Sequence, residues 1–228
     1  MSLYAIADLH LSLGSDKPMD VFAGWDGYVD RLTDNWRRLV TDEDTVVIAG
    51  DVSWGMSLET AKPDFAFLNA LPGRKLILKG NHDYWWNTRR KMDLFFEENG
   101  FSTLRIVHND AVEVDGRFAV CGSRGWFFDA EDEDQKVLLR EAGRLRASIG
   151  AAKRTGLRPA VFLHYPPVFR GQVCEEIWQV LLDEQIDRCY YGHVHAAGIR
   201  SAFCGEKDGI ELRLISCDSL GFCPLLVD

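Results

Sequence analysis

No apolar run in the 228-residue chain approaches the roughly 18 residues that a membrane-spanning helix needs. Basic residues are also scarce, with 26 Lys and Arg against 35 Asp and Glu for a net charge of −9. Broad binding to nucleic acid requires a basic surface that displaces counterions, so stable nucleic-acid binding is not expected. Thiol spacing is equally uninformative. No two of the six cysteines lie closer than Cys217 and Cys223, which excludes a zinc ribbon or a CxxC redox module and leaves reduced, mostly buried thiols. No repeat or low-complexity linker divides the chain, and the N-terminus enters a strand-like run too early for a signal peptide. The expectation is a soluble cytoplasmic protein without membrane contact, folded as a single domain over residues 1–228. Its 46% hydrophobic content suffices for one sizeable core.

What is present is a set of short apolar runs that end in chemistry-bearing residues. Lys75 to Leu78 runs through Lys79 into Gly80-Asn81-His82-Asp83. Four others end alike: Ser2–Ala7 in Asp8-Leu9-His10, Thr45–Ala49 in Gly50-Asp51, Ala160–Leu163 in His164, and Arg188–Tyr191 in Gly192-His193-Val194-His195. Of the six histidines, only His108 lies away from these tips.

Between the tips the pattern alternates helix-like and strand-like. Trp25, Val29, Leu32, Trp36 and Leu39 recur at helical spacing, which makes both tryptophans core residues. A second helix carries Pro63, Phe65 and Leu68 and stops at Pro72-Gly73, and a third carries Met92, Phe95 and Phe96 and closes at Asn99-Gly100. Residues 103–121 read as short β segments with a turn at Asp115-Gly116, followed by a glycine and aromatic loop over 122–128. Helices are predicted over 131–153 and around 175–182, and the C-terminal end is β-like.

Oxygen ligands from Asp8, Asp51 and Asn81, with imidazoles from His10, His164, His193 and His195, form a mixed set suited to a transition metal rather than calcium. Seven ligands exceed one ion's needs; with Asp51 shared they divide between two. Asp8 and His10, like His193 and His195, stand two apart, so in extended backbone each pair points to one side. Two ions roughly 3.5–4 Å apart acidify a water and neutralise a phosphoryl group during in-line displacement.

The ordered blocks Asp8-x-His10, Gly50-Asp51, Gly80-Asn81-His82-Asp83, His164 and Gly192-His193-x-His195 resemble the signature of the calcineurin-like metallophosphoesterases, and they span nearly the whole chain. The resemblance implies an α/β (α+β) fold, a four-layer αββα sandwich of two mixed β-sheets flanked by helices. It implies two divalent or trivalent metal ions, Mn, Fe or Zn, one held by Asp8, His10, Asp51 and His195 and the other by Asp51, Asn81, His164 and His193, with a metal-bound hydroxide as nucleophile. His82 would face the leaving-group oxygen as general acid or electrostatic partner, and Asp83 would orient it; Asp83 also reads as a cap for the following helix. The chain departs from the protein-phosphatase subgroup at Asp51-Val52-Ser53-Trp54-Gly55 and at His82-Asp83, where that subgroup carries a phosphate-binding arginine segment and a glutamate.

Aromatic side chains crowd the motifs: Trp54, Trp85, Trp86, Trp126, Phe127 and Tyr165. They read either as stacking faces for a base or aryl group or as walls over the core. Arg89, Arg90 and Arg124 are candidates to clamp a second phosphate. The expected substrate-binding set is Trp54, Trp85, Arg89, Arg124 and Tyr165. The expected activity is hydrolysis of a small phosphorylated substrate, phosphodiester or nucleotide-like, with phosphomonoesterase or protein Ser/Thr phosphatase as the alternative and a non-catalytic scaffold on the same fold as the rival of another class.

Overall fold

The computed structural model describes residues 1–126 and 135–228. In the first sheet β1 (Leu3–Ile6), β2 (Thr45–Ile48), β3 (Arg74–Ile77) and β4 (Leu104–Ile106) run parallel, and β13 (Leu225–Leu226) pairs antiparallel with β1. The second sheet has the order β11 (Gly205–Lys207), β12 (Ile210–Leu214), β10 (Arg188–Tyr191), β7 (Arg158–Leu163), β6 (Phe118–Ser123), β5 (Val112–Val114), and its four inner strands are parallel. A two-strand hairpin of β8 (Val168–Phe169) and β9 (Gln172–Val173) completes the set.

Strand periodicity explains the layers. Successive side chains face opposite ways, and β1 to β3 send Ile6, Val46, Ile48 and Ile77 outward under the helices α1 (Tyr28–Leu39), α2 (Leu58–Ala70) and α3 (Arg89–Glu98). Their neighbours Ala5, Val47 and Leu76 face inward, against Val120, Ala160, Phe162 and Tyr190 of the second sheet. The outer face of that sheet, with Cys121, Val161, Tyr191 and Leu212, packs under α4 (Gln135–Arg154) and α5 (Glu175–Asp183). Two mixed sheets sharing a middle core and covered by helices on both sides make the αββα sandwich. No helix among the described residues is long and apolar enough to cross a membrane.

Two local differences from the sequence expectation have simple causes, and one expectation is not tested. Gly27 takes a left-handed φ of 58° and starts α1 at Tyr28, so Trp25 precedes the helix whose spacing it shares. The predicted start of α4 at 131, like Phe127, lies outside the described residues. The strands of two or three residues, β8, β9 and β11, are too short to leave a periodic signal. The Asp115-Gly116 turn does form, closing β5 on β6 with Val114 opposite Phe118.

The two sheets are stitched at one end. Ala7, just past β1, bridges Ser216, just past β12, through Ala7 N–H to Ile215 O at 2.8 Å and Cys217 N–H to Ala7 O at 2.9 Å. This seam lies at the carboxyl ends of the parallel strands, where open α/β sheets bind ligands.

Lys75, in the middle of the first sheet, is fully buried. Its ammonium donates to the carbonyls of Leu71 and Gly73 and to Thr103 Oγ1, satisfying the carbonyl end of α2, and burial pushes its pKa down to about 8. Lys75→Met keeps the stem but strands these acceptors. It should lower stability by about 1–3 kcal/mol, read from urea unfolding; an unchanged midpoint would remove this role.

Candidate metal centre

Six strand ends converge on the seam. Asp8 follows β1, Asp51 follows β2, Asn81 and His82 follow β3, His164 follows β7, His193 and His195 follow β10, and Asp218 follows β12. The tips turn sharply: Asp8, His10, Asp51 and His193 have φ of 63°, 45°, 52° and 71°, the left-handed region that side chains rarely adopt. Three glycines serve these turns for two different reasons. Gly50 has a φ of 95° and needs the conformational freedom of glycine. Gly80 and Gly192 have no positive φ and are small for lack of room. A Cβ on Gly80 would collide with Asp51 Oδ1, and one on Gly192 would lie 2.5 Å from Asp8 Oδ2.

The side chains gather into two groups, Asp8 with His10 and His195, and Asp51 with His164 and His193, whose ligand atoms lie within 4.8 Å of one another in each group. In the first, His10 Nε2 is 3.3 Å from His195 Nε2, and Asp8 Oδ1 is 3.4 Å from His195 Nε2. In the second, Asn81 Oδ1 is 2.7 Å from His164 Nε2 and 2.9 Å from His193 Nδ1. Asp51 Oδ2 stands between them, 3.4 Å from His164 Nε2 and 3.8 Å from His10 Nε2. All seven expected ligands are therefore together.

Electrostatics show what the site requires. Burial pushes His10 and His193 down to about 4, so both are neutral, with lone pairs available. Burial also opposes charge on His164 and His195, but Asp51 and Asp8 at the first, and Asp8 with Asp218 at the second, outweigh it and raise them to about 9 and about 10. Each group thus draws one positive charge into a cage of oxygen and imidazole donors. A cation in each cage supplies that charge with more bonds than a proton makes, so the donor set fits two metal ions.

Backbone donors hold the carboxylates in place. Asp8 accepts from His193 N–H at 3.0 and 2.8 Å, and Asp51 Oδ1 accepts from His82 N–H at 2.8 Å. Outer partners fix the imidazoles: Ala49 O lies 3.1 Å from His164 Nδ1, and Asp218 Oδ1 lies 3.0 Å from His195 Nδ1.

The calcineurin-like phosphoesterase family model matches residues 1–197. The chain belongs to that family. Solved structures of similar fold include a protein of unknown function, AQ665 from Aquifex aeolicus, at 18% identity and TM-score 0.55, covering 99% of this chain and 95% of that one. Another is TT1561 of Thermus thermophilus, at 12% identity and TM-score 0.57, covering 85% of this chain and 81% of that one. No curated protein matches the chain. As a calcineurin-like phosphoesterase it belongs to a metal-dependent group that is typically dinuclear, and its two ligand groups suit that description.

Several residues expected around this phosphoesterase centre do other work. Asp83 does not reach the His82 ring. Its oxygens accept from the backbone N–H groups of Asp51, Val52 and Gly80 at 3.0, 2.9 and 2.7 Å and from Trp85 Nε1 at 2.9 Å, tying the β2 and β3 tips together. Burial and the neighbouring Asp51 raise it to about 6. Nor does it cap α3, whose N-cap is Thr88. Trp85, 1% exposed, packs edge-on to Phe65 within the core under the helices. Arg89 pairs with Asp93 and, at 3.0 Å, with Asp110, away from the metal ligands. Arg124 lies over Trp126 and 3.8 Å from buried Glu141, while its carbonyl accepts the N–H groups of His164 and Tyr165. Tyr165 is at the centre but buried, its ring 4.4 Å from that of His193. Trp54 stacks on His10 at 4.8 Å and lies 4.7 Å from His82.

Three neighbours escaped the sequence reading. Trp25, read as core, packs 5.8 Å from His195. Lys17, in a loop without periodicity, holds its ammonium 4.8 Å over Trp54. Asp218 belongs to no motif; its signal was that the β-like run over 212–216 is also closely followed by a carboxylate. With His164 and His195 both protonated in the metal-free protein near pH 7.5, uptake of two Mn²⁺ should release about two protons, measurable with an indicator dye. Asp218→Ala should weaken metal binding about 10–100-fold in a competition titration, and an unaltered affinity would leave it no part in the centre.

Proposed function

We propose that the chain is a phosphodiester hydrolase acting on a small substrate at this centre. The observation that carries the reading is the pair of ligand groups joined through Asp51 with a half-buried imidazole, His82, beside them. Bound there, two transition-metal ions, of which Mn, Fe and Zn suit the donors, supply Lewis acidity at the phosphoryl oxygens and an acidified water. The residues do the rest. Asp8, His10, Asp51 and His195 hold one position, and Asp51, Asn81, His164 and His193 the other. Backbone N–H groups keep both aspartates turned inward. Ala49 O and Asp218 fix the faces of His164 and His195.

His82 is the acid. Its backbone N–H is anchored on Asp51, and its ring has Tyr84 OH 3.4 Å from Nδ1, which leaves Nε2 for the substrate. Burial lowers its pKa from the ordinary histidine value, so a proton on it passes more readily to a leaving oxygen.

Preference for a diester follows from charge. A monoester dianion is usually gripped by guanidinium groups, and of the three arginines expected to clamp a second phosphate, Arg89 and Arg124 are engaged by carboxylates and Arg90 is exposed on α3. A diester carries one charge fewer and needs no such clamp. Turnover of bis(p-nitrophenyl) phosphate should therefore exceed that of p-nitrophenyl phosphate, and the reverse order would overturn the diester assignment. His82→Ala should reduce turnover about 10²–10⁴-fold while metal content, read by atomic emission, stays at the wild-type value. Lost metal would instead make His82 part of the cage.

A further inference from the structure

A groove of about 410 Å³ lies between the first turn of α2 and the flank of α3. Leu58, Trp85 and Phe95, all buried, contribute to its lining, and Met56, Tyr84 and Leu94 edge it at 61%, 51% and 50% exposure. Three large apolar side chains so exposed around one concavity mark a place where something apolar settles.

The groove approaches the metal centre at Tyr84, which lines the groove and holds its hydroxyl 3.4 Å from His82 Nδ1. Two backbone segments lead from one to the other, Trp54-Gly55-Met56 and His82-Asp83-Tyr84. Both start at His82: the Trp54 ring lies 4.7 Å from it, and Tyr84 OH lies 3.4 Å from its Nδ1. Both end on the groove, at Met56 and Tyr84. The part of a substrate beyond an oxygen held at His82 is therefore within reach of these segments and of the groove on which they end.

Charge and size narrow what that part is. The ionisable side chains at the groove are Glu59, Glu98 and Lys91, two carboxylates against one ammonium, and a further phosphate there would meet repulsion. The volume falls within the roughly 300–1,000 Å³ of pockets that enclose small organic groups.

We propose that the groove is the leaving-group subsite, and that it selects phosphodiesters whose departing alcohol is uncharged and apolar, an aryl group or alkyl chain, over those carrying additional phosphates. The proposal rests on His82 facing the leaving oxygen. Water adds at phosphorus and loses one proton, the P–O bond to the groove-held alcohol breaks, that oxygen takes the His82 proton, and the proton lost by the water restores His82 through solvent, so diester and water become monoester and free alcohol. Met56, Tyr84 and Leu94 are the specificity determinants.

Two measurements test this. The first compares kcat/KM for methyl 2-naphthyl phosphate and methyl phenyl phosphate, whose leaving alcohols are of similar acidity. The wild-type ratio should favour naphthyl by about tenfold, and Met56→Gln with Leu94→Asn should bring it close to one. A wild-type ratio near one, or a ratio unmoved by the substitutions, overturns the subsite. The second needs no turnover: methyl (2-naphthylmethyl)phosphonate is titrated into metal-loaded protein labelled with ¹³C at the methionine methyls. Met56 should shift while Met92, buried in the core, does not. If Met56 shifts in a protein that hydrolyses no phosphoester, the groove stands as a binding site and the hydrolase reading falls. Hydrolysis with a still Met56 and a flat ratio does the opposite.

Discussion

Two aspartates, Asp8 and Asp51, are held almost completely out of water at the point where the two sheets meet, and the rest of the centre follows from keeping both ionised and facing each other. Buried carboxylates normally take up protons. Here the cost of burial is offset by His193 and His82 backbone N–H groups and by the positive charge that each cage draws in, so both acids remain below the usual carboxylate range. The arrangement is tight enough that Gly80 and Gly192 have no room for a methyl group, and four ligands sit in left-handed backbone. Strain of that kind persists only where surrounding structure over-determines it.

The over-determination comes from carboxylates that face backbone. Asp83 gathers three N–H groups and the Trp85 indole, fixing the tips of β2 and β3 relative to one another. Asp64, buried on α2, does the same one layer out: it accepts from Leu13 N–H at 2.7 Å and bonds Ser53 Oγ, and so anchors the loops after β1 and β2. Asp218 binds Ala196 N–H at 2.9 Å as well as His195, joining the β12 end to the β10 tip. Each of these three acids acts by positioning other groups, and together they fix the loops that carry the ligands.

Much of the centre was readable because its ligands stand at the ends of strand-like runs. Five strand ends in one chain that each finish in Asp, Asn or His leave few alternatives, although the expectation that Asp8 with His10 and His193 with His195 point to one side from extended backbone does not hold: Asp8, His10 and His193 are left-handed, and His193 and His195 fall in different ligand groups. The division of β1 to β3 between two cores was not readable in the same way, because their runs are apolar on both faces; the two-sheet arrangement was implied only by the family resemblance. Side chains one or two positions further on were not readable. Trp85 and Arg89 follow His82 closely, but the chain turns at Asp83 and carries Trp85 down to Phe65 and Arg89 across to Asp110. Trp25 looked like a helix residue until Gly27 broke the period.

The sequence by itself determined which atoms could bind metal and how many strand ends would deliver them, because ligand type and two-residue spacing are local properties of the backbone. Only the tertiary structure decided that Asp51 stands between the two ligand groups, that Asp218 stands behind His195, and that Trp54 and Tyr84 flank His82. Those relations join residues as many as 185 positions apart, such as Asp8 and His193, and they arise from the seam between two sheets, which no single stretch of chain encodes.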